Sequence, residues 1–165
     1  MKSPSVAGLV LAAGSSERMG PEPLDSSFTG DDLWHRLQAS RSPMRSWLLD
    51  QRKLAGIGNI YASEALFLAG IHPQRLAKDV SRDEAGALHQ GVRRVLEEAI
   101  ASGGTTLRDY RTASGEEGRY ARRLLVYGRD GDPCSRCRTE IQRVVFGGRS
   151  AFFCPSCQPP QGSRA

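Results

Sequence analysis

Four cysteines stand in two pairs, Cys134-x-x-Cys137 and Cys154-x-x-Cys157, with residues 138–153 between them. That is zinc-ribbon spacing. Each pair can fold into a knuckle that places two thiolates about 2.3 Å from one tetrahedral Zn²⁺. Iron–sulfur or redox readings of the same cysteines find no second feature of electron transfer in the chain. The start of the sequence has no charged-then-apolar leader, so metal in a reducing compartment is expected rather than disulfides. Between the pairs, IQRVVFGGRSAFF reads as two strands around the Gly147-Gly148 turn. A two-stranded hairpin cannot bury a core alone, so the metal is expected to supply the folding energy. Arg149 follows the turn. It is either a solvated strand arginine or a guanidinium held at a hairpin tip, where it can fork onto phosphates.

A second chemistry lies in LLDQRKLAGIGNIYASEALFLAGIHP, from Leu48 to Pro73. An apolar turn breaks at Gly56 and Gly58 and restarts at Asn59, which is expected to cap a helix. Ile60, Leu66 and Phe67 are placed near one face of that helix. Gly70 sits where a left-handed stop is expected, and Pro73 bars continuation. Helix, glycine turn and helix leave the amides of Gly58, Asn59 and Ile60 off the second helix's start. Such amides, backed by the positive end of the helix dipole, attract anions. The plainer reading is an ordinary helical hairpin. Lys53, in the turn, has the chemistry for a Schiff base but reads as an exposed lysine.

The elements that must position these groups are mostly helical. Thr29 is expected to cap GDDLWHRLQAS with Asp32 as its partner, turning Leu33 and Leu37 inward. Arg41 and Arg45 flank the start of SPMRSWLLD. Ser81 and Glu84 form a capping box ahead of a long helix with the stripe Ala85, Leu88, Val92, Val95, Leu96 and Ile100. Gly103-Gly104 would stop it, and this helix is expected to be the spine of the core. A polar loop, TASGEEGRYARR, leads to a short strand, LLVYG. Pro21 to Ser27 reads as a linker. The predicted fold is mainly α with a small β zinc ribbon: a helical domain over 19–123, a zinc-finger domain over 125–159 and a disordered tail from 160 to 165. The first 18 residues stand apart. With the residues that follow they read GLVLAAGSSERMG, similar to the glycine-rich loop of nucleotidyltransferases, but the parallel sheet of that fold needs far more chain. They are not expected to form a domain.

Composition fits this picture. The chain has 165 residues, 39% of them hydrophobic, enough for one modest core or two small modules. No apolar run approaches the ~20 residues of a membrane span, and a cytoplasmic protein is expected. The net charge of +5 favours polyanionic partners. Of the 23 basic residues only Lys2, Lys53 and Lys78 are lysines. Arginine's fork suits bidentate phosphate contacts, although an arginine-rich genome gives the same bias.

The run AGIGNIYASEALFLAGIHP resembles the helix-two-turn-helix signature of formamidopyrimidine-DNA glycosylases, a base-excision repair family that includes endonuclease VIII. The likeness extends through GPEPLD, GGTTLRDY, LLVYGRDGDPC and the four cysteines, from about Met19 to Gln158. It implies one structural zinc ion and, as partner, double-stranded DNA carrying a lesion or an abasic site. It also implies a monomer with no membrane role. Asn59, with the turn amides of Gly58 and Ile60, would hold the lesion phosphate. Arg149 would grip the phosphates and donate the proton in δ-elimination. The family's DNA-contacting basic residue before the SPMRSWLLD-like helix falls on Ser40, with Arg41 and Arg45 nearby. The loop from Thr112 to Arg123 matches one that folds over a flipped base in 8-oxoguanine-specific members; it reads equally as a plain surface loop.

The resemblance also shows a departure. The family's nucleophile is the secondary amine of an N-terminal proline, followed by a glutamate, in a separate β-sandwich domain. This chain begins Met-Lys-Ser-Pro, Pro4 is an internal amide, and Glu22 follows the amide-bound Pro21. The expectation is therefore the damaged-DNA-binding part of a base-excision repair protein, not catalytic alone. The alternative is an active glycosylase/AP lyase whose gene start is truncated or misassigned, or whose catalytic half is a separate chain.

Overall fold

The computed structural model describes residues 19–102 and 123–160. The first 18 residues, with most of the nucleotidyltransferase-like run, Gly103-Gly104, GGTTLRDY, residues 112–122 of the polar loop and the tail from 161 lie outside the described residues.

Among the described residues four helices and one hairpin follow in chain order: α1 (Gly30–Gln38), α2 (Met44–Leu49), α3 (Asn59–Ala69), a 3₁₀ turn at Ala77–Asp79, α4 (Arg82–Ala101), β1 (Gln142–Phe146) and β2 (Arg149–Phe153). Both predicted capping boxes form. The Thr29 hydroxyl accepts from the Asp32 amide while the Asp32 carboxylate accepts from Thr29, and Ser81 and Glu84 do the same for α4. Each supplies partners for amides that a helix start leaves open. The apolar stripe of α4 is buried as expected, with Ile100 at its edge, and α1 and α3 both lie on that helix. Gly91 allows the α3 contact. A Cβ there would meet the Ala65 carbonyl oxygen at 3.2 Å and the Leu68 Cβ at 3.3 Å.

Helix α3 is the centre of the molecule. Its residues Ala62 to Phe67 are all buried. The expected single apolar face is not found. Leu66 joins the helical core, Phe67 belongs to the core of the zinc module, and half-buried Ile60 packs by Ala99 and Leu124. A helix wrapped on all sides has no solvent stripe. Gly70 ends it in the left-handed conformation, φ 71°, as the sequence required.

Three further readings are corrected. The expected LLVYG strand is absent: residues 124–128 run as bends and a turn. The amides of Leu125, Val126 and Tyr127 donate to the Glu64 carboxylate at 2.8–2.9 Å instead of to a neighbouring strand. The linker after Gly20 is partly folded onto the α2–α3 turn, through Gly20 N–H to the Gln51 carbonyl at 2.8 Å and Ala55 N–H to the Pro21 carbonyl at 3.0 Å. The cap of α3 is Gly58, with Asn59 inside the first turn. The hairpin forms as read, β1 and β2 antiparallel around Gly147-Gly148 with Phe146 opposite Arg149. No helix among the described residues is long and apolar enough to cross a membrane.

Candidate nucleic-acid interface and zinc site

The two knuckles bring four free thiols together. The sulfurs of Cys134, Cys137, Cys154 and Cys157 all lie within 4.8 Å of one another. Cys134 and Cys157 are 3.9 Å apart, and Cys137 and Cys154 are 3.4 Å apart. Backbone amides of Arg136 and Cys157 point at the Cys134 and Cys154 sulfurs, both at 3.4 Å. Hydrogen bonds from Thr139 lower the Cys137 thiol to about 6, whereas burial pushes Cys154 and Cys157 up. Four soft ligands in one cluster, with N–H donors turned toward sulfur, fit Zn²⁺, whose charge is what holds four thiolates together.

The module is pinned to the helical domain along α3. Gln158, fully buried, accepts from the Cys154 amide through Oε1 and donates through Nε2 to the Ile71 carbonyl, both at 2.9 Å. Phe152 N–H reaches the Ser63 hydroxyl at 3.5 Å. His72 stacks edge-on against Phe153 with centroids 4.6 Å apart, and burial holds its pKa below the usual value.

At the other end of the hairpin the sequence-predicted residues converge on Asn59. Its side chain is not a helix cap but a junction. Oδ1 accepts from Arg45 Nη2 at 2.7 Å, and Nδ2 donates to the Ser150 carbonyl at 2.9 Å and to the Tyr127 hydroxyl at 3.3 Å. Arg45 is only 5% exposed, yet its Nε has no partner. Its guanidinium lies 5.8 Å from the centre of the Phe146 ring, and both burial and the charge of Arg149 lower its pKa. None of the ion pairs among the described residues involves Arg45 or Arg149. Beside this pair stands the start of α3, where no side chain caps the amides and Gly58 is exposed to open space. Two uncompensated cations and a helix start in one place favour an anion strongly. Arg41, by contrast, is exposed on the α1–α2 loop and makes none of these contacts.

Tyr127 and Glu64 were not legible as parts of this site. A lone glutamate within an apolar helical run was the one available signal. Glu64 is 2% exposed, and burial raises its pKa. Its three amide contacts fix the segment that carries Tyr127 to Asn59.

The sequence model of the formamidopyrimidine-DNA glycosylase H2TH domain matches residues 19–111. The chain belongs to the formamidopyrimidine-DNA glycosylase family. A second model, the zinc finger found in these glycosylases and in IleRS, matches residues 131–160. The formamidopyrimidine-DNA glycosylase of Paracoccus denitrificans is 53% identical over 142 residues, which cover 85% of this chain and 50% of the relative. The chain thus spans about half the length of the curated relatives it matches. The protein of the same family from Thermus thermophilus superposes with a TM-score of 0.79 at 45% identity, covering 87% of this chain and 55% of that one. The Lactococcus lactis glycosylase, solved non-covalently bound to DNA containing an abasic site, gives 0.77 at 35% identity, with 86% and 51% covered. Within the family, the four-cysteine cluster is a structural zinc site.

Proposed function

We infer that this stretch is the DNA-gripping portion of a base-excision repair protein of the formamidopyrimidine-DNA glycosylase kind. It holds the sugar–phosphate backbone of duplex DNA at an oxidised purine or abasic site, in the cytoplasm with the nucleoid. The helical domain, 19–123, supplies Arg45, Asn59 and the amides of Gly58 and Ile60, and the zinc domain, 125–159, supplies Arg149. The observation that carries this reading is the buried Arg45, whose Nε is unpartnered, whose pKa the charge of Arg149 lowers, and which, like Arg149, has no ion-pair partner among the described residues. A phosphodiester beside Arg149 and the start of α3 offsets both charges at once. Asn59 acts chiefly by fixing Arg45 and β2, because its side-chain oxygen and amide are already engaged. Arg41 is assigned a rim contact only.

The test is fluorescence anisotropy of this chain on duplexes with and without an abasic-site analogue. Binding is expected to weaken steeply with salt, since phosphates dominate the contacts. Arg45→Met and Arg149→Ala should each reduce affinity about tenfold or more, the loss of one charge-assisted phosphate contact. Binding that is equal on both duplexes and untouched by either substitution rules the reading out.

A second reading, an active glycosylase/AP lyase completed by a catalytic half, is favoured by the half-length match to relatives that are named as glycosylases. In it, exposed Arg149 at the hairpin turn donates a proton in δ-elimination. Borohydride trapping on abasic DNA, run with this chain alone and with a catalytic half supplied, separates the readings: a covalent adduct supports the enzyme, and no adduct in either case supports the binding portion.

A further inference from the structure

Lys53 is not the freely exposed lysine that its sequence suggests. It is half-buried, and its Nζ lies 3.4 Å from the Ser40 hydroxyl and 3.3 Å from the Ser42 hydroxyl. No carboxylate lies within ion-pair distance of it among the described residues. Asp50, in the same turn, is engaged by Arg52 through both carboxylate oxygens at 3.0 and 3.1 Å. The backbone on both sides is fixed. Lys53 N–H donates to the Asp50 carbonyl, while the carbonyls of Ser40 and Ser42 accept from Lys78 and Ala77.

The proton arithmetic then decides what the cluster attracts. An ammonium has three N–H donors and no acceptor. With two of them turned to hydroxyl oxygens, the hydroxyl hydrogens must point away from Nζ. The Ser40 oxygen also accepts from the Ser42 amide at 3.2 Å, which leaves its hydrogen still less freedom to turn back. One N–H and two O–H donors therefore face outward around the Lys53 charge, which lowers the pKa of the nearby Asp50 carboxylate without pairing with it.

We propose that Lys53, Ser40 and Ser42 form a second phosphate subsite, which takes a phosphodiester of the same duplex on the flank of the Arg45–Asn59 grip. The proposal rests on the DNA-binding reading above. Lys53 and Gly58 belong to one turn, and five residues reach at most roughly 17 Å, a separation that a short stretch of DNA backbone can span. The subsite reads no bases. It adds affinity and register only.

The experiment is a salt titration of abasic-analogue DNA binding by this chain, comparing wild type, Lys53→Met, Lys53→Arg, Ser40→Ala/Ser42→Ala and Arg45→Met. Lys53→Met should lower the slope of log affinity against log salt by about one, as for one lost phosphate contact. Lys53→Arg should restore the slope, and the double serine variant should weaken binding several-fold with the slope retained. If Arg45→Met weakens binding but Lys53→Met keeps the wild-type slope, the subsite is refuted and the main reading stands. If neither substitution matters, the main reading itself has failed. Calorimetry with inorganic phosphate covers the other source of the same chemistry. Saturable phosphate binding that Lys53→Met abolishes, with the DNA slope unchanged, assigns the site to a free anion and overturns its place on the duplex.

Discussion

At the scale of single residues, polar groups buried on α3 set the interface. Glu64 receives three backbone N–H groups inside an otherwise apolar helix. Glu64→Gln turns an NH₂ group toward donors that need an acceptor, at a cost of about 1–3 kcal/mol. A thermal melt should show a midpoint lower by several degrees, and an unchanged midpoint would show that the three contacts contribute nothing. His72 makes a pH prediction. Its folded pKa lies below the ordinary value near 6.5 because the ring is buried. The unfolded chain therefore takes up the proton first as pH falls. The stability contributed by neutral His72 is complete above about pH 6.5 and is lost as pH drops through that value toward the folded pKa. Melts at pH 7.5 and 5.5 should differ more for wild type than for His72→Gln; equal differences would exclude His72 as a source of acid sensitivity.

At the scale of elements, the two glycines at the ends of contacts on α3 are the sensitive points. Gly70 has φ 71°, and a Cβ there would lie 3.3 Å from the Cys157 carbonyl oxygen. Gly70→Ala combines left-handed backbone strain with pressure on a zinc knuckle and should destabilise by about 1–2 kcal/mol. Gly91→Val crowds the Ala65 backbone, which cannot yield as a side-chain tip can, and about 1–3 kcal/mol is expected. Denaturant melts read both. The hairpin depends on its neighbours as well as on its own ladder: β2 is bonded to α3 through Asn59 and Ser63, so Arg149 is held relative to Arg45 rather than carried on a free ribbon.

At the scale of the molecule, the zinc cluster and the phosphate grip lie toward opposite ends of one hairpin and share α3 as their support. Chelation of the metal, with one zinc per chain released by elemental analysis, should leave the helical circular dichroism of α1 to α4 largely intact. It should also abolish selective DNA binding, because β1 and β2 lose their anchor. Retention of full affinity in the metal-free chain would mean that Arg149 is not positioned by zinc. Net charge acts at this scale too. The +5 of the chain draws any polyanion, and selectivity must come from where the unpaired cations are fixed.

Local chemistry was readable in the chain itself. Capping boxes at Thr29 and Ser81, the left-handed stop at Gly70, the hairpin at Gly147-Gly148 and the two CxxC pairs each follow from a few adjacent residues, because caps, turns and knuckles are satisfied within a few residues of chain. What failed were readings that needed a partner far away. LLVYG has the composition of a strand, but its amides found a carboxylate 61 residues earlier in the chain at Leu125. Asn59 has the look of a cap, but its amide is engaged with β2, 91 residues on at Ser150. Lys53 reads as solvent-facing, yet the fold sets it on two hydroxyls from the preceding loop. The sequence by itself determined where the capped helices, the hairpin and the metal site fall. Only the tertiary structure decided which donors stay unpaired, since a buried cation without a carboxylate is a property of everything packed around it.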